Sequence, residues 1–203
     1  MNSDSVQKLT EIFAHFPGIG PRQAKRFVYH LLNQNEFANR QIAELILQLK
    51  KETGSCISCK RFHRSENDSL CSICNDKKRS QKELMIVAKD VDLENIERSG
   101  GYKGMYFVLG GLVPVLDKNP SQRIRQSELI EAISKMPGLS EIIIALSATV
   151  EGDNTADYLK SDLSKITTSR NIKISVLGRG LSTGTELEYS DSDTIMNALK
   201  NRE

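Results

Sequence analysis

The chain has 203 residues, and 28 Lys and Arg stand against 26 Asp and Glu, a formal charge of only +2 at neutral pH. That balance excludes a polycation acting through its whole-molecule field and leaves any affinity for an acidic polymer to local patches, which sit before about residue 82. Hydrophobic residues make up 38%, Trp is absent, and no apolar run reaches signal-peptide or membrane-spanning length, so a globular protein of the cytoplasm is expected.

Residues 5 to 16 set Val6, Leu9, Ile12, Phe13 and Phe16 on one helical stripe, and residues 22 to 32 repeat it with Ala24, Phe27, Val28, Leu31 and Leu32. Two amphipathic helices are predicted. Between them lies Phe16-Pro17-Gly18-Ile19-Gly20-Pro21. Pro17 discourages helix at Phe16, the glycines permit positive φ, and Pro21 suits the first turn of a new helix. This PGIG turn, followed by a basic helix with Ala24 four residues after Gly20, resembles the helix-hairpin-helix family of DNA-binding motifs. The resemblance implies that Gly18 and Gly20 bring backbone N–H groups at a helix N-terminus close to a phosphate, whatever the base sequence. Arg22, Lys25 and Arg26 would add charge. The alternative is a plain pair of antiparallel helices whose glycines only make the turn. A third helix is predicted from about Glu36 to Thr53, with Phe37, Ile42, Leu45, Ile46 and Leu49 as its inner face. Lys50 and Lys51 suit its negative end, and Gly54 is a natural residue to follow it.

The chain then reaches its four cysteines, Cys56 and Cys59 in CISC and Cys71 and Cys74 in CSIC. Two C-x-x-C knuckles across one short polar loop are the spacing that lets four thiolates close a tetrahedral shell around Zn²⁺. No cysteine is left over as a nucleophile, and the full shell leaves no open position for a substrate. The alternative is two disulfides or four unrelated buried thiols, but nothing marks the chain for an oxidising compartment. The basic residues nearby, Lys60, Arg61, Arg64, Lys77, Lys78, Arg79 and Lys82, read either as a solvated face or as a nucleic-acid contact.

After the charged run Asn75 to Glu83, short apolar runs alternate with helical patterns. Strands are predicted at Leu84–Ala88, Met105–Leu109, Glu141–Leu146 and Ile172–Leu177, and helices at 92–98, 127–136 and 154–166. This alternation predicts an α/β fold with a mainly parallel sheet and helices on both faces. The tail carries GRGLSTGTELEY and then a short helix capped near Asp191 to Asp193. Its glycine spacing is wrong for a phosphate loop, and no Lys follows Gly184. The three histidines, His15, His30 and His63, have no partner in the sequence that would orient one of them as a general base.

A helix-hairpin-helix, a four-cysteine zinc module and a small α/β sheet, in that order, resemble the RecR family of bacterial recombination mediators, whose sheet belongs to the Toprim class. The likeness extends to Tyr102–Gly111, read as YKGMYFVLGG, and to Leu116-Asp117. It continues through Ala145, Thr149–Gly152 and Thr155-Ala156, and ends with Gly184 and Glu186–Tyr189. It implies a helix-hairpin-helix region over 1–54, a four-cysteine zinc finger over 55–82, a Toprim-like α/β domain over 83–177 and a tail for oligomer contacts over 178–203. It also implies a non-catalytic role in recombinational DNA repair, with RecO and RecF as partners and a ring-like tetramer as the working unit. Apolar residues such as Val6, Phe13 and Phe37, and the Leu181–Leu199 segment, are expected to supply two separate self-contacts. A monomer whose tail only covers the sheet is the alternative.

Two departures from the family pattern bear on chemistry. The acidic residue that usually ends the first Toprim strand is replaced by Ala88, in IVAKDVDLENIE, and LSAT at Leu146–Thr149 stands where TNPT is usual. Asp90, Glu151 and Asp153 remain as candidate ligands for a cation at the mouth of the sheet. Two-metal phosphoryl transfer needs several fixed carboxylates, so Ala88 argues against both a Mg²⁺ requirement and the competing reading, a Toprim-type metal-dependent nuclease.

Overall fold

The computed structural model describes residues 4–64, 69–178, 180, 181, 184 and 186–200. Arg179, Ser182, Thr183 and Thr185 of the glycine-rich tail lie outside them. The chain divides into two compact units between Thr53 and Gly54.

In the first unit, α1 (Asp4–Ala14) and α2 (Pro21–Asn33) realise the two apolar stripes. Phe13 meets Phe16 and Phe27 edge to face at centroid distances of 5.7 and 6.2 Å, and Ala24 and Val28 are the buried residues of α2. Helix α3 (Glu36–Glu52) starts at Asn35, whose side chain accepts the Ala38 N–H at 2.8 Å. Asn39 Nδ2 donates to the Leu31 carbonyl at 2.9 Å and so ties its first turn to the end of α2.

Two expectations for α3 fail. Its apolar face is not an inner one: no residue of α3 is buried, and Phe37, Leu45 and Ile46 are 77%, 58% and 62% exposed. The periodicity encodes a face, but no described element of the first unit covers it. Nor does Gly54 close the helix in a left-handed conformation; Thr53 leaves it in extended geometry (φ −112°, ψ 124°) and β1 begins at once.

The division falls within β1 (Thr53–Ser55), which pairs with β2 (Phe62–Arg64) around the first cysteine knuckle, while the short helix α4 (Ser72–Asn75) carries the second. The main sheet follows, built from β3 (Glu83–Val87), β4 (Met105–Val108), β5 (Glu141–Ala145) and β6 (Lys173–Val176), all parallel in the order β4-β3-β5-β6. Ile86 lies opposite both Phe107 and Ile144 in register. Alternate residues point to opposite faces. Leu84, Ile86, Phe107, Ile142 and Ile144 pack with Leu129 and Ile133 of α6 (Gln126–Ser134) and Leu159 and Leu163 of α7 (Val150–Arg170). Met85, Val87, Tyr106, Val108 and Ala145 pack with Leu93 of α5 (Asp90–Ser99) and with Cys56, Cys59 and Cys71. Burial on both faces is why the strands read as continuous apolar runs.

Helix α7 starts four residues earlier than the periodicity predicts. Thr149 caps it by accepting the Gly152 N–H at 3.1 Å, and a Cβ on Gly152 would stand 1.9 Å from the Ser147 carbonyl. Glycine here marks a tight helix start rather than a break. A 3₁₀ turn at Leu187–Tyr189 is followed by α8 (Ser192–Lys200), the last element among the described residues. Among the described residues, no helix is long and apolar enough to cross a membrane.

Candidate nucleic-acid interface and metal centre

The hairpin joins α1 to α2 through backbone chosen by its prolines and glycines. The Ile19 N–H donates to the Phe16 carbonyl at 3.0 Å, and Gly18 takes φ +76°, a left-handed conformation that a side chain would strain. Gly20 is the N-cap of α2 with no side-chain acceptor, Pro21 is first in the helix, and no acidic residue occupies the first turn. The first-turn N–H groups of a helix have no intrahelical acceptor, so this end presents donors and a positive dipole to whatever approaches. Arg22, Lys25 and Arg26 are all exposed on the same helix. Lys25 Nζ lies 5.9 Å from the Tyr29 ring centroid, and Arg26 Nη1 donates to Gln23 Oε1 at 3.3 Å.

The four cysteines converge as their spacing predicts. All four Sγ atoms lie within 4.8 Å of one another, with Cys59 and Cys71 at 3.6 Å, and none is in a disulfide. Lys60 takes φ +64° so that its N–H can reach the Cys56 carbonyl at 3.0 Å, closing the first knuckle. Hydrogen bonds from Cys59, Cys71 and Cys74 hold the Cys56 thiol far below its ordinary pKa. Hydrogen bonding to Cys56 and then to Cys71 drives Cys59 upward, and hydrogen bonding to Cys56 does the same to Cys74. Four sulfurs this close cannot all ionise on their own, and a cation between them resolves the conflict. The group can hold a metal ion in a closed sulfur shell.

The metal module is fastened to the sheet by groups that local sequence did not reveal. The Val108 N–H on the outer side of edge strand β4 donates to the Cys59 carbonyl at 2.9 Å. Arg125 Nη1 donates to the Lys60 carbonyl at 3.1 Å and to the Val108 carbonyl at 3.0 Å. Arg79, grouped in sequence with the basic cluster, is neither a solvated nor a DNA-facing residue: its side chain is 8% exposed, pairs with Glu97, and donates to the Gly104 carbonyl at 2.9 Å. Its guanidinium carbon lies 5.7 Å from the Tyr106 ring centroid. Burial, then the neighbouring Glu97 carboxylate, raises the Tyr106 phenol above its usual pKa.

At the mouth of the sheet, Ala88 is buried and its carbonyl accepts the Gly110 N–H at 3.0 Å. Asp90 begins α5, where its Oδ1 accepts the Phe62 N–H of the metal module at 2.7 Å. Glu151 and Asp153 are exposed in the first turn of α7. Among the described residues the four cysteines are the one group of three or more His, Cys, Asp or Glu side chains placed to hold a metal, so the structure does not gather these carboxylates into another. His15 Nδ1 donates to the Glu11 carbonyl at 2.6 Å, Gln34 Nε2 donates to His30 Nε2 at 2.8 Å, and His63 lies on β2.

Residues 6–50 match the RecR helix-hairpin-helix family, residues 82–178 the Toprim domain and residues 180–203 the RecR C-terminal family. Recombination protein RecR of Prochlorococcus marinus strain MIT 9313 is 40% identical over 190 residues, covering 94% of this chain and 96% of that one. The protein of the same name from Ruegeria sp. strain TM1040 is 35% identical over 99% of this chain and 96% of its own length. That of Synechococcus sp. strain CC9605 is 38% identical over 97% and 98%. With relatives this similar from end to end, the chain belongs to the RecR family of recombination proteins.

Proposed function

We propose that this chain binds DNA without regard to sequence and acts as a non-catalytic mediator of recombinational DNA repair, as a ring-like homotetrameric clamp working with RecO and RecF. The observation that carries the DNA reading is Gly20. Its φ of −86° is ordinary, and a Cβ there would meet nothing within 4 Å, so neither strain nor packing inside the chain calls for glycine. A phosphate approaching the N-terminus of α2 does call for it, and Gly18, Arg22, Lys25 and Arg26 surround that approach. Contacts of this kind go to the backbone of the nucleic acid and carry no base information.

The metal is assigned as structural zinc. Zinc–thiolate bonds of about 2.3 Å set tetrahedral sulfur edges of about 3.8 Å, which the 3.6 Å separation of Cys59 and Cys71 approaches. Cys56, Cys59, Cys71 and Cys74 would hold it, and four thiolates leave it no position for substrate. Catalysis is assigned no residue: Ala88 has no carboxylate, Asp90 is engaged with Phe62, and Glu151 and Asp153 are not gathered into a metal-holding group. Mg²⁺ therefore has no assigned role. The homo-oligomer draws support from the uncovered face of α3, from an apolar groove of about 680 Å³ within the first unit, and from exposed Leu187, Tyr189, Met196 and Leu199 in the tail. RecO and RecF come from the family resemblance.

The decisive experiment is the salt dependence of binding. Replacing Arg22 and Arg26 together by Ala is expected to weaken binding to two unrelated duplexes alike and to reduce the salt slope by about two units between about 50 and 200 mM salt. An unchanged slope would leave the hairpin purely architectural.

A further inference from the structure

The four thiols are not equally enclosed. Cys56, Cys59 and Cys71 are 0%, 0% and 1% exposed, whereas Cys74 is only partly buried. A cavity of about 320 Å³ opens between the first knuckle, at Ile57 and Ser58, and helix α6 with the turn after it, at Ala132 and Met136; Cys74 is the one cysteine that lines it. Its inner walls include Leu70, Leu84 and Met105. Both signs of charge line it too, with Glu131 paired to Lys135 at 2.6 Å and with Glu128 and Lys60 beside them, so it favours neither anions nor cations. One of the buried sulfurs has a further disadvantage. Cys56 Sγ accepts the Cys71 N–H at 3.4 Å, a bond that draws electron density away from it.

We propose that Cys74 is a modification site: small, uncharged, soft electrophiles enter this cavity and react at the Cys74 sulfur before the other three. The inference rests on the tetrathiolate metal reading. With an activated alkene, the Cys74 thiolate forms a sulfur–carbon bond, the carbon–carbon π bond breaks, and the adjacent carbon takes a proton from water. Cys56, Cys59, Cys71 and Cys74 would together hold the metal, and because a thioether is a far weaker ligand than a thiolate, alkylation of Cys74 would leave only three of them to retain it against a competing chelator. The knuckle at Cys59, which holds the edge of β4 through the Val108 N–H, loses its brace.

The test uses the full-length chain as isolated, with its metal content measured first. Limiting N-ethylmaleimide is added, singly labelled chains are mapped by peptide mass, and released zinc is followed with a chromogenic chelator. Label on Cys74 is expected to exceed that on the other three cysteines together about tenfold, with zinc release rising in step. Ala132→Met, which narrows the cavity, is expected to slow labelling about threefold while zinc content stays unchanged. First labelling at Cys56, Cys59 or Cys71, even labelling of all four, or an Ala132→Met rate equal to the parent's would overturn the inference and leave the metal reading intact. A chain isolated without metal would instead overturn the tetrathiolate reading, and this inference with it.

Discussion

Asp90 shows how one hydrogen bond changes the reading of a residue. Two positions beyond Ala88 it looks like a substitute for the missing strand-end acid, yet its Oδ1 accepts the Phe62 N–H at 2.7 Å and it sits at the positive end of α5. Asp90→Ala is expected to cost about 1 kcal/mol of stability, and Asp90→Asn, which keeps an acceptor, about half of that. Chemical denaturation of the two variants measures the difference. In the same preparations, supercoiled DNA incubated with Mg²⁺ or Mn²⁺ is expected to remain uncut by the parent and by both variants. Cleavage by the parent that vanished in Asp90→Asn would restore the nuclease reading. The residues that escaped the sequence share a cause: the partner of Asp90 is 28 positions away and that of Arg125 is 65, and no local pattern reports such a pairing. The cysteines were legible because each knuckle is complete within four residues.

The metal module is an element whose stability is lent to its neighbour. Thiolates must be deprotonated to hold zinc, so protons compete with the metal, and affinity falls as pH falls. Chelation at neutral pH, or acidification, is therefore expected to release the ion and to raise amide hydrogen exchange at Val108, whose N–H depends on the Cys59 carbonyl. Exchange at Val108 that did not respond to metal removal would show the knuckle to be self-supporting. The elements themselves were largely readable. The four parallel strands stand where the apolar runs lie, because burial on both faces removes the need for polar alternation. Helix α7 was read four residues short at each end; at its start the Thr149 cap and the close approach of position 152 to the Ser147 carbonyl, which demands glycine, are not visible in an apolar period. The face of α3 was read correctly as apolar and wrongly as inner: periodicity reports which residues share a face, never whether the same chain covers it.

That uncovered face is where the single chain falls short as a molecule. Phe37, Ile42, Leu45, Ile46 and Leu49 are exposed on one helix, and an apolar surface of this kind marks an interaction site. The occupant proposed above is a second copy, which would also serve DNA binding. One hairpin offers few phosphate contacts and therefore weak, salt-sensitive affinity, while several hairpins held together gain from effective concentration. The tail, exposed at Leu187, Tyr189 and Met196, offers a separate contact, and two different two-fold contacts are what close four chains into a ring. Light scattering at micromolar protein is expected to return a multiple of the 22.7 kDa chain mass. Leu45→Glu with Ile46→Glu is expected to lower that mass. Because both residues are exposed in the isolated chain, the substitutions should change its own stability by no more than about 0.5 kcal/mol each. DNA affinity should fall with the mass, although no hairpin residue has been touched. A mass of one chain for the parent, with and without DNA, would exclude the clamp. A stable dimer that becomes a tetramer on DNA would instead assign the second contact to the DNA-bound state.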